Sequence, residues 1–547
     1  MPVAAQSVPG PVLHPAQPEA FDYYGWSLTA SEGGTSFHLL LGAIGDGPPA
    51  PDGECSAGTA HLLRPASTGG TWEEEAELAP TPPFVYCDDH FGGSVALDYT
   101  AGLAAVGAPG YSVFDTGRAY VFKRNPAGVW AQEAFLRPPQ PANDNEEFGT
   151  SMALLLLPSG DTLTLGGARR NAVIGTPEPG VVYLHAPDAG AAEWTFVDSL
   201  LAPDGHPFDG FGTSLAVVPL AGGHLGDALA FVGAPDHDLP SNPGSNRDGA
   251  AYAFRRDGAT GRWAFEQKLP MPDPEPPGSV SLFGFSVALL TLPGGAPGEA
   301  VAVAGAKDAS STCGIANGGG AYAFYRSAEG VWTLEARLCP LALNDLRFGA
   351  SAALAPGAFE PLGGEPGAVR ALVGSGPYLF DEHPGEAGLF ERDPMTGQWT
   401  RRATFASGLG GSALDQYGWA VALAGPWAFV GAPLDDAVGE SAGAVYVYGQ
   451  ESVSSEPGPP MTPVTLSVTP NPTRGAATVV LTLSAPGPVR VGLYDVLGRE
   501  VAALFAGPLP AGRHALPLDT GALPSGVYLL RAEAGAGSVT RRLTVAR

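Results

Sequence analysis

Phe91-Gly92-Gly93-Ser94-Val95-Ala96-Leu97, followed by Val106-Gly107-Ala108-Pro109 and then Gly117-Arg118-Ala119-Tyr120-Val121-Phe122, decides the fold. An aromatic-Gly step opens a small-residue strand, a second apolar strand stops at Gly-Ala-Pro, and a third alternates aromatic with small side chains. A fourth opens on Trp130 and reaches Leu136 six positions on. Short apolar segments punctuated by turn formers read as antiparallel strands rather than helices. Proline after Gly-Ala has no N–H to donate to a ladder, so the strand ends there.

The same unit recurs along the chain. Its aromatic-Gly steps are Tyr24-Gly25, Phe91-Gly92, Phe148-Gly149, Phe211-Gly212, Phe283-Gly284, Phe348-Gly349 and Tyr417-Gly418, with glycines 57 to 72 residues apart. Gly-Ala-Pro returns at Gly233-Ala234-Pro235 and Gly431-Ala432-Pro433, with weaker forms at Gly175-Thr176-Pro177, Gly305-Ala306-Lys307 and Gly374-Ser375-Gly376. Trp72, Trp130, Trp194, Trp263, Trp332 and Trp399 open the fourth strands. Seven four-stranded units predict an all-β, seven-bladed β-propeller over residues 8–449. Small residues sit where inner strands converge, and aromatic rings fill the widening space between blades. The strand-opening Trp residues therefore read as packing rather than a sugar platform. The seventh copy ends at Tyr448-Gly449 without a Trp strand, while Pro11-Val12-Leu13 is an orphan strand end. Residues near Val8–Leu13 are thus expected to supply the last blade's outer strand.

Composition agrees. The 77 Gly and 55 Pro of 547 residues serve as punctuation, and 44% hydrophobic residues suffice for real cores. A net charge of −27 argues against nucleic acid or an anionic membrane as partner. No apolar run reaches transmembrane length. Residues 1–7, Met1-Pro-Val-Ala-Ala-Gln-Ser7, end as a signal peptide ends and are expected to be its remnant.

The repeat resembles the FG-GAP repeat, the blade of integrin α-subunit propellers and of many bacterial surface proteins. Integrin-type blades carry a D-x-D-x-D-G loop that cages calcium. The matching loops here, Leu157-Pro-Ser-Gly-Asp161, Leu220-Ala-Gly-Gly-His224 and Leu292-Pro-Gly-Gly-Ala296, lack those carboxylates. No metal and no cofactor are expected.

Residues 450–462 read as a polar, Pro-rich linker, and 463–547 as a small Ig-like β-sandwich. Pro470-Asn471-Pro472, the run Val491-Gly-Leu-Tyr494-Asp495-Val-Leu-Gly498-Arg-Glu-Val501, and Leu523-Pro-Ser-Gly526-Val-Tyr528 resemble the type A sorting domain of the type IX secretion system. That resemblance implies export through the periplasm to the outer surface or beyond, with the secretion machinery as a partner.

Four cysteines, Cys55, Cys87, Cys313 and Cys339, allow three pairings in an exported protein. Their places between strands favour Cys55–Cys87 and Cys313–Cys339. No H-E-x-x-H, G-x-S-x-G or phosphate-loop motif occurs. Acidic loop pairs do: Asp88-Asp89 beside His90, Asp381-Glu382-His383, Asp435-Asp436, and Asp236-His237-Asp238 directly after Gly-Ala-Pro. Asp236, His237, Asp238, Asp435 and Asp436 are the candidate binding residues. Acids shortly before the aromatic-Gly steps, such as Asp89, Asp209 and Asp415, are read as turn formers. The reading is a non-enzymatic surface or secreted protein whose propeller loops bind a protein or glycan. The alternatives are a secreted hydrolase of extracellular polysaccharide or another polymer, and a structural surface-layer protein.

Overall fold

The computed structural model describes residues 5–6, 10–33, 36–46, 56–66, 71–81, 89–110, 116–139, 146–170, 172–173, 176–177, 179–188, 193–220, 223–238, 247–273, 276, 279–310, 313, 318–341, 347–357, 367–376, 385–406, 415–449, 464–469, 473–483, 487–494, 499–510, 512–521, 523–534 and 537–546. The described residues are all-β and form two compact units, Met1–Ser452 and Val453–Arg547. The expected linker lies outside them.

Among the described residues the first unit holds one sheet per repeat, six of four antiparallel strands and, in the sixth repeat, four antiparallel strands with a fifth added at the edge. The fourth sheet is representative: Ser214–Pro219, Ala228–Ala234, Ala250–Arg256 and Trp263–Pro270, in chain order. Each fourth strand of the first six sheets opens on its Trp. First strands of consecutive sheets contact one another, and the seventh sheet's first strand, Val421–Ala424, returns to Tyr24–Gly33 of the first. Val12–Leu13 pairs antiparallel with Ala444–Tyr448, as expected of a closing strand, while Val8 lies outside the described residues. Ala5–Gln6, within the segment read as a signal remnant, runs parallel to Trp399–Phe405 on the sixth sheet.

Glycine makes the inter-sheet joints. A Cβ on the motif glycine of each second strand would meet the carbonyl oxygen of the next sheet's aromatic-Gly glycine. The distances run from 1.9 Å at Gly305 against Gly349 to 2.4 Å at Gly431 against Gly25, the contact that completes the circle. In the first six sheets a hydroxyl two residues after the aromatic-Gly donates to the same carbonyl, as Ser27 does to Gly92 at 2.7 Å, Ser214 to Gly284 at 2.8 Å and Ser351 to Gly418 at 2.7 Å. Ala420 holds that place in the seventh sheet. In the third sheet the motif glycine is Gly167, against Gly212 at 2.0 Å. Gly175-Thr176-Pro177 is not the strand stop there, because Thr176–Pro177 forms a separate two-residue pairing with Ala172–Val173 in the connection.

A second joint lies on the outer strands. The Glu three residues after a Trp accepts from the indole N–H of the next sheet's Trp: Glu75 from Trp130 at 3.3 Å, Glu133 from Trp194 at 3.4 Å, Glu266 from Trp332 at 3.0 Å and Glu335 from Trp399 at 2.9 Å. Glu266 also takes Arg326, and Glu335 takes Arg392 at 2.6 and 2.8 Å. Val197 stands where this Glu would join the third and fourth sheets. There the indole N–H of Trp263 and the Nε of Arg256 are buried without a hydrogen-bond partner.

The second unit comprises a three-stranded sheet, with Val464–Thr469, Ala476–Leu483 and Gly512–Asp519, and a four-stranded one, with Glu500–Leu509, Gly487–Tyr494, Gly526–Ala534 and Gly537–Val545. Both contribute to one core that includes Leu466, Val479, Leu481, Val491, Leu493, Leu530 and Leu543. Of the sorting motif, Tyr528 is buried with its hydroxyl donating to the Pro524 carbonyl at 3.0 Å. Tyr494 and Gly526 lie on strands, whereas Pro470, Asn471, Pro472, Asp495 and Gly498 lie outside the described residues.

Candidate functional site

In the fourth sheet, the turn after Gly233-Ala234-Pro235 separates the three candidates it carries. His237 points inward and is 1% exposed. Asp236 remains half-buried and accepts from Arg247 at 3.2 Å, and Asp238 is half-buried as well. The turn is closed by the His237 N–H to the Ala234 carbonyl at 3.2 Å and the Gly249 N–H to the His237 carbonyl at 2.9 Å. Such a turn fixes the imidazole against whatever precedes the first strand.

That neighbour is Asp209, two residues before Phe211. Its Oδ2 lies 2.7 Å from His237 Nδ1 and also accepts the His206 backbone N–H at 2.7 Å. The expected turn-forming part is thus present, with a side-chain hydrogen bond to His237 added. On the other side Lys268 Nζ lies 2.6 Å from His237 Nε2 and 2.6 Å from Asp204 Oδ2, and Tyr252 donates to Asp204 Oδ1 at 2.9 Å. An ammonium can only donate, so His237 Nε2 accepts and Nδ1–H donates to Asp209. The result is a continuous chain, Asp204–Lys268–His237–Asp209. Burial pushes the Asp204 carboxyl up, but the hydrogen bonds from Lys268 and Tyr252 outweigh it and hold it below its usual range. Burial and then Asp204 push the Tyr252 phenol well up, keeping it a donor.

The equivalent turn of the seventh sheet places Asp435 where His237 stands. Asp435 is buried, accepts from Tyr446 at 2.7 Å and caps the Ala437 N–H at 2.9 Å. Asp436 is exposed and caps the Ser441 N–H at 2.7 Å. These two acids build their loop. Asp88 and Asp381-Glu382-His383 lie outside the described residues, and buried Asp89 pairs with Arg118 at 2.7 Å. Cys313 and Cys339 are joined, with Cα atoms 5.6 Å apart; Cys55 and Cys87 lie outside the described residues.

Among the described residues, two groups bring ligand-type atoms within 4.8 Å of one another: His206, Asp209 and His237, and His61, Glu74 and Glu77. Both ring nitrogens of His237 are engaged as described. His61 Nε2 lies 2.8 Å from Asp46 and Nδ1 3.3 Å from Glu74. Burial alone would lower that imidazole, yet the two carboxylates carry it up to about 9. Asp204, Lys268 and Asp46 escaped the sequence reading. The available signal was scarcity, since Lys268 is one of only three lysines in the chain.

No curated protein matches the chain. Among solved structures, it is similar to a candidate 6-phosphogluconolactonase from Bacteroides uniformis (10% identity, 77% of this chain and 94% of that one, TM-score 0.44). It is also similar to an α-L-arabinanase from Penicillium chrysogenum complexed with arabinobiose (13%, 82% and 99%, TM-score 0.33). A third match is an α-L-arabinofuranosidase from Fusarium graminearum complexed with an iminosugar inhibitor (12%, 68% and 93%, TM-score 0.38). The glycoside hydrolases among these matches overturn the expectation that the chain is not an enzyme, although at these TM-scores they assign it no reaction. No helix among the described residues is long and apolar enough to cross a membrane. Residues 399–448 match the FG-GAP repeat and residues 467–546 the secretion system C-terminal sorting domain, so the chain carries an FG-GAP repeat and a type IX sorting domain that directs it to the cell surface or the extracellular space.

Proposed function

We propose that the chain is a secreted hydrolase of an extracellular polymer, a polysaccharide in the first instance. In this reading, residues 8–449 are a seven-bladed propeller and residues 463–547 an Ig-like export module. The observation that carries it is the Asp204–Lys268–His237–Asp209 chain. Asp209 fixes the imidazole tautomer and leaves the Nε2 lone pair as a base, the arrangement general-base catalysis needs. Lys268 is the more exposed of the pair, its side chain 19% exposed against 1% for His237. A substrate that draws Lys268 off Nε2 uncovers the base, and the ammonium, still held by Asp204, faces the developing charge on the leaving oxygen. No metal or cofactor is needed for this.

The full chain is assayed on arabinan first, because arabinobiose is bound in the matched arabinanase, then on xylan, β-glucan and mannan. Release of reducing ends, lost about a hundredfold in His237→Gln, is the expected result. Turnover that survives His237→Gln refutes the assignment. A second reading, adhesion without turnover, is supported by Phe208, 70% exposed beside Asp209. Binding without product from any polymer in the panel selects it.

A further inference from the structure

The first and seventh sheets meet along a line of four aromatic rings that the repeat does not require. Phe21 and Tyr23 have centroids 6.2 Å apart, Tyr23 and Trp26 6.1 Å, and Trp26 and Trp419 5.1 Å. Trp26 and Trp419 occupy the position directly after the aromatic-Gly. In the other repeats that position is Gly93, Thr150, Thr213, Phe285 or Ala350. Phe285 carries Lys307 Nζ 4.6 Å over its ring, which accounts for it. Packing therefore accepts a small residue here, and indoles stand only in the two copies that adjoin across the ring closure.

We propose that Phe21, Tyr23, Trp26 and Trp419 form a stacking platform for an uncharged glycan chain. Three observations carry this beyond the hydrolytic reading, on which it does not depend. First, Phe21 is 48% exposed and the other three rings are half-buried, so their faces are within reach of solvent. Second, the platform is held in advance. Phe21 N–H donates to Glu440 at 2.8 Å, Tyr23 N–H to Ser441 at 3.1 Å and Trp26 N–H to Tyr23 at 3.1 Å. Tyr23 takes a φ of 54°, the left-handed step that His90, Glu147, Leu282, Arg347 and Gln416 also make before their aromatic-Gly pairs, so the repeat itself fixes its backbone, and Phe21 takes one of 70°, which costs a bulky residue energy. Third, charge chooses the ligand. A chain of net charge −27 repels a polyanion, whereas exposed Asp436, on the loop that pins Phe21 and Tyr23, can accept from sugar hydroxyls. Apolar pyranose or furanose faces over aromatic rings, with carboxylates at the edge, make an amphipathic site matched to a neutral sugar polymer.

The test uses the full chain and reads indole fluorescence and calorimetric titration with cellohexaose, xylohexaose, mannohexaose and arabinohexaose, with polygalacturonate as the anionic comparison. A neutral oligosaccharide is expected to shift the indole emission, and its Kd is expected to rise about tenfold in both Trp419→Ala and Phe21→Ala. Phe21 is half exposed, so its variant gives the reading even where Trp419→Ala fails to fold. His237→Gln should leave that Kd unchanged, which separates this proposal from the hydrolytic one. Absence of binding by all four neutral oligosaccharides, preference for polygalacturonate, or an unchanged Kd in Phe21→Ala overturns it.

Discussion

Val197→Glu should stabilise the first unit, and the size of the gain follows from the joint it completes. Four sheet boundaries have a Glu that accepts from the next Trp, and at two of them it also takes a bidentate Arg. At the boundary between the third and fourth sheets Val197, 49% exposed, stands in the acceptor's place, and two buried donors, Trp263 Nε1 and Arg256 Nε, have no hydrogen-bond partner. A hydrogen bond to a neutral donor contributes about 1 kcal/mol and one to a charged donor about 2. Ordering a Glu side chain costs about 1 kcal/mol, and the half-exposed Val gives up little burial. The net gain is about 2 kcal/mol. With an unfolding entropy of about 2.1 cal/mol/K per residue over some 440 residues, that raises Tm by about 2 °C. Calorimetry measures the shift, and exchange of the Trp263 indole proton reports the bond itself. On a Trp263→Phe, Arg256→Met background the gain should vanish. A gain that persists there, or no gain in the parent, refutes the latch. The reverse change, Glu266→Ala, strands buried Arg326 and should cost about 3–5 kcal/mol.

Gly305→Ala places a Cβ 1.9 Å from the Gly349 carbonyl and should cost about 3 kcal/mol by overpacking, whereas Gly160→Ala meets nothing within 4 Å and should cost only the ~1–2 kcal/mol of its positive φ; equal losses in urea unfolding would dismiss the inter-sheet joint. His61, pushed up to about 9, contributes stability that is fully present below its ordinary value of 6.5 and is lost as pH rises through 9. Asp22, raised by burial from 3.8 to about 6, adds a separate decline between those values. Unfolding measured from pH 4 to 10 should therefore show two falls, and His61→Gln should remove only the upper one; an unaltered upper fall would detach it from His61. Deleting residues 1–13 removes Leu13 from a core shared with Tyr24, Leu39 and Val445 and should lower the single transition of the whole first unit, while a separate early transition would mean that closure is local.

Much of the ring was legible because repetition averages out local ambiguity. Any one strand such as Ala300–Ala306 is an apolar run that could serve elsewhere, but seven units in the same order leave little freedom. The joints were less legible. The Ser of the aromatic-Gly strand and the W-x-x-E spacing are both in the sequence, yet neither has meaning until the next sheet is beside it. The site was the least legible part. Asp236-His237-Asp238 was chosen as a contiguous motif, but residues along a tight turn point different ways, and the partners of His237 are Asp209, on the connection before Ser214–Pro219, and Lys268, on the fourth strand and held by Asp204 of that same connection. Contiguity locates a loop; convergence, which chemistry needs, is a property of the sheets that flank it.

The equivalence of His237 and Asp435 carries the reasoning one step further. The turn geometry is shared: the Asp435 N–H donates to Ala432 at 3.1 Å and the Gly443 N–H to the Asp435 carbonyl at 3.0 Å, matching the bonds around His237. Ala309 occupies the same turn position in the fifth sheet, with its N–H to Ala306 at 3.2 Å and its carbonyl taking Gly319 at 3.0 Å. One backbone scaffold thus presents His, Asp or Ala at equivalent points. An Ala at this point shows that the turn itself demands no polar side chain, so His237 is an addition to the scaffold rather than a requirement of it. The scaffold also supplies an acid held by a tyrosine and a cation in the fifth sheet, where Tyr322 and Arg337 both donate to Asp273 as Tyr252 and Lys268 do to Asp204, so what sets the fourth sheet apart is the imidazole of His237 placed between that cation and Asp209.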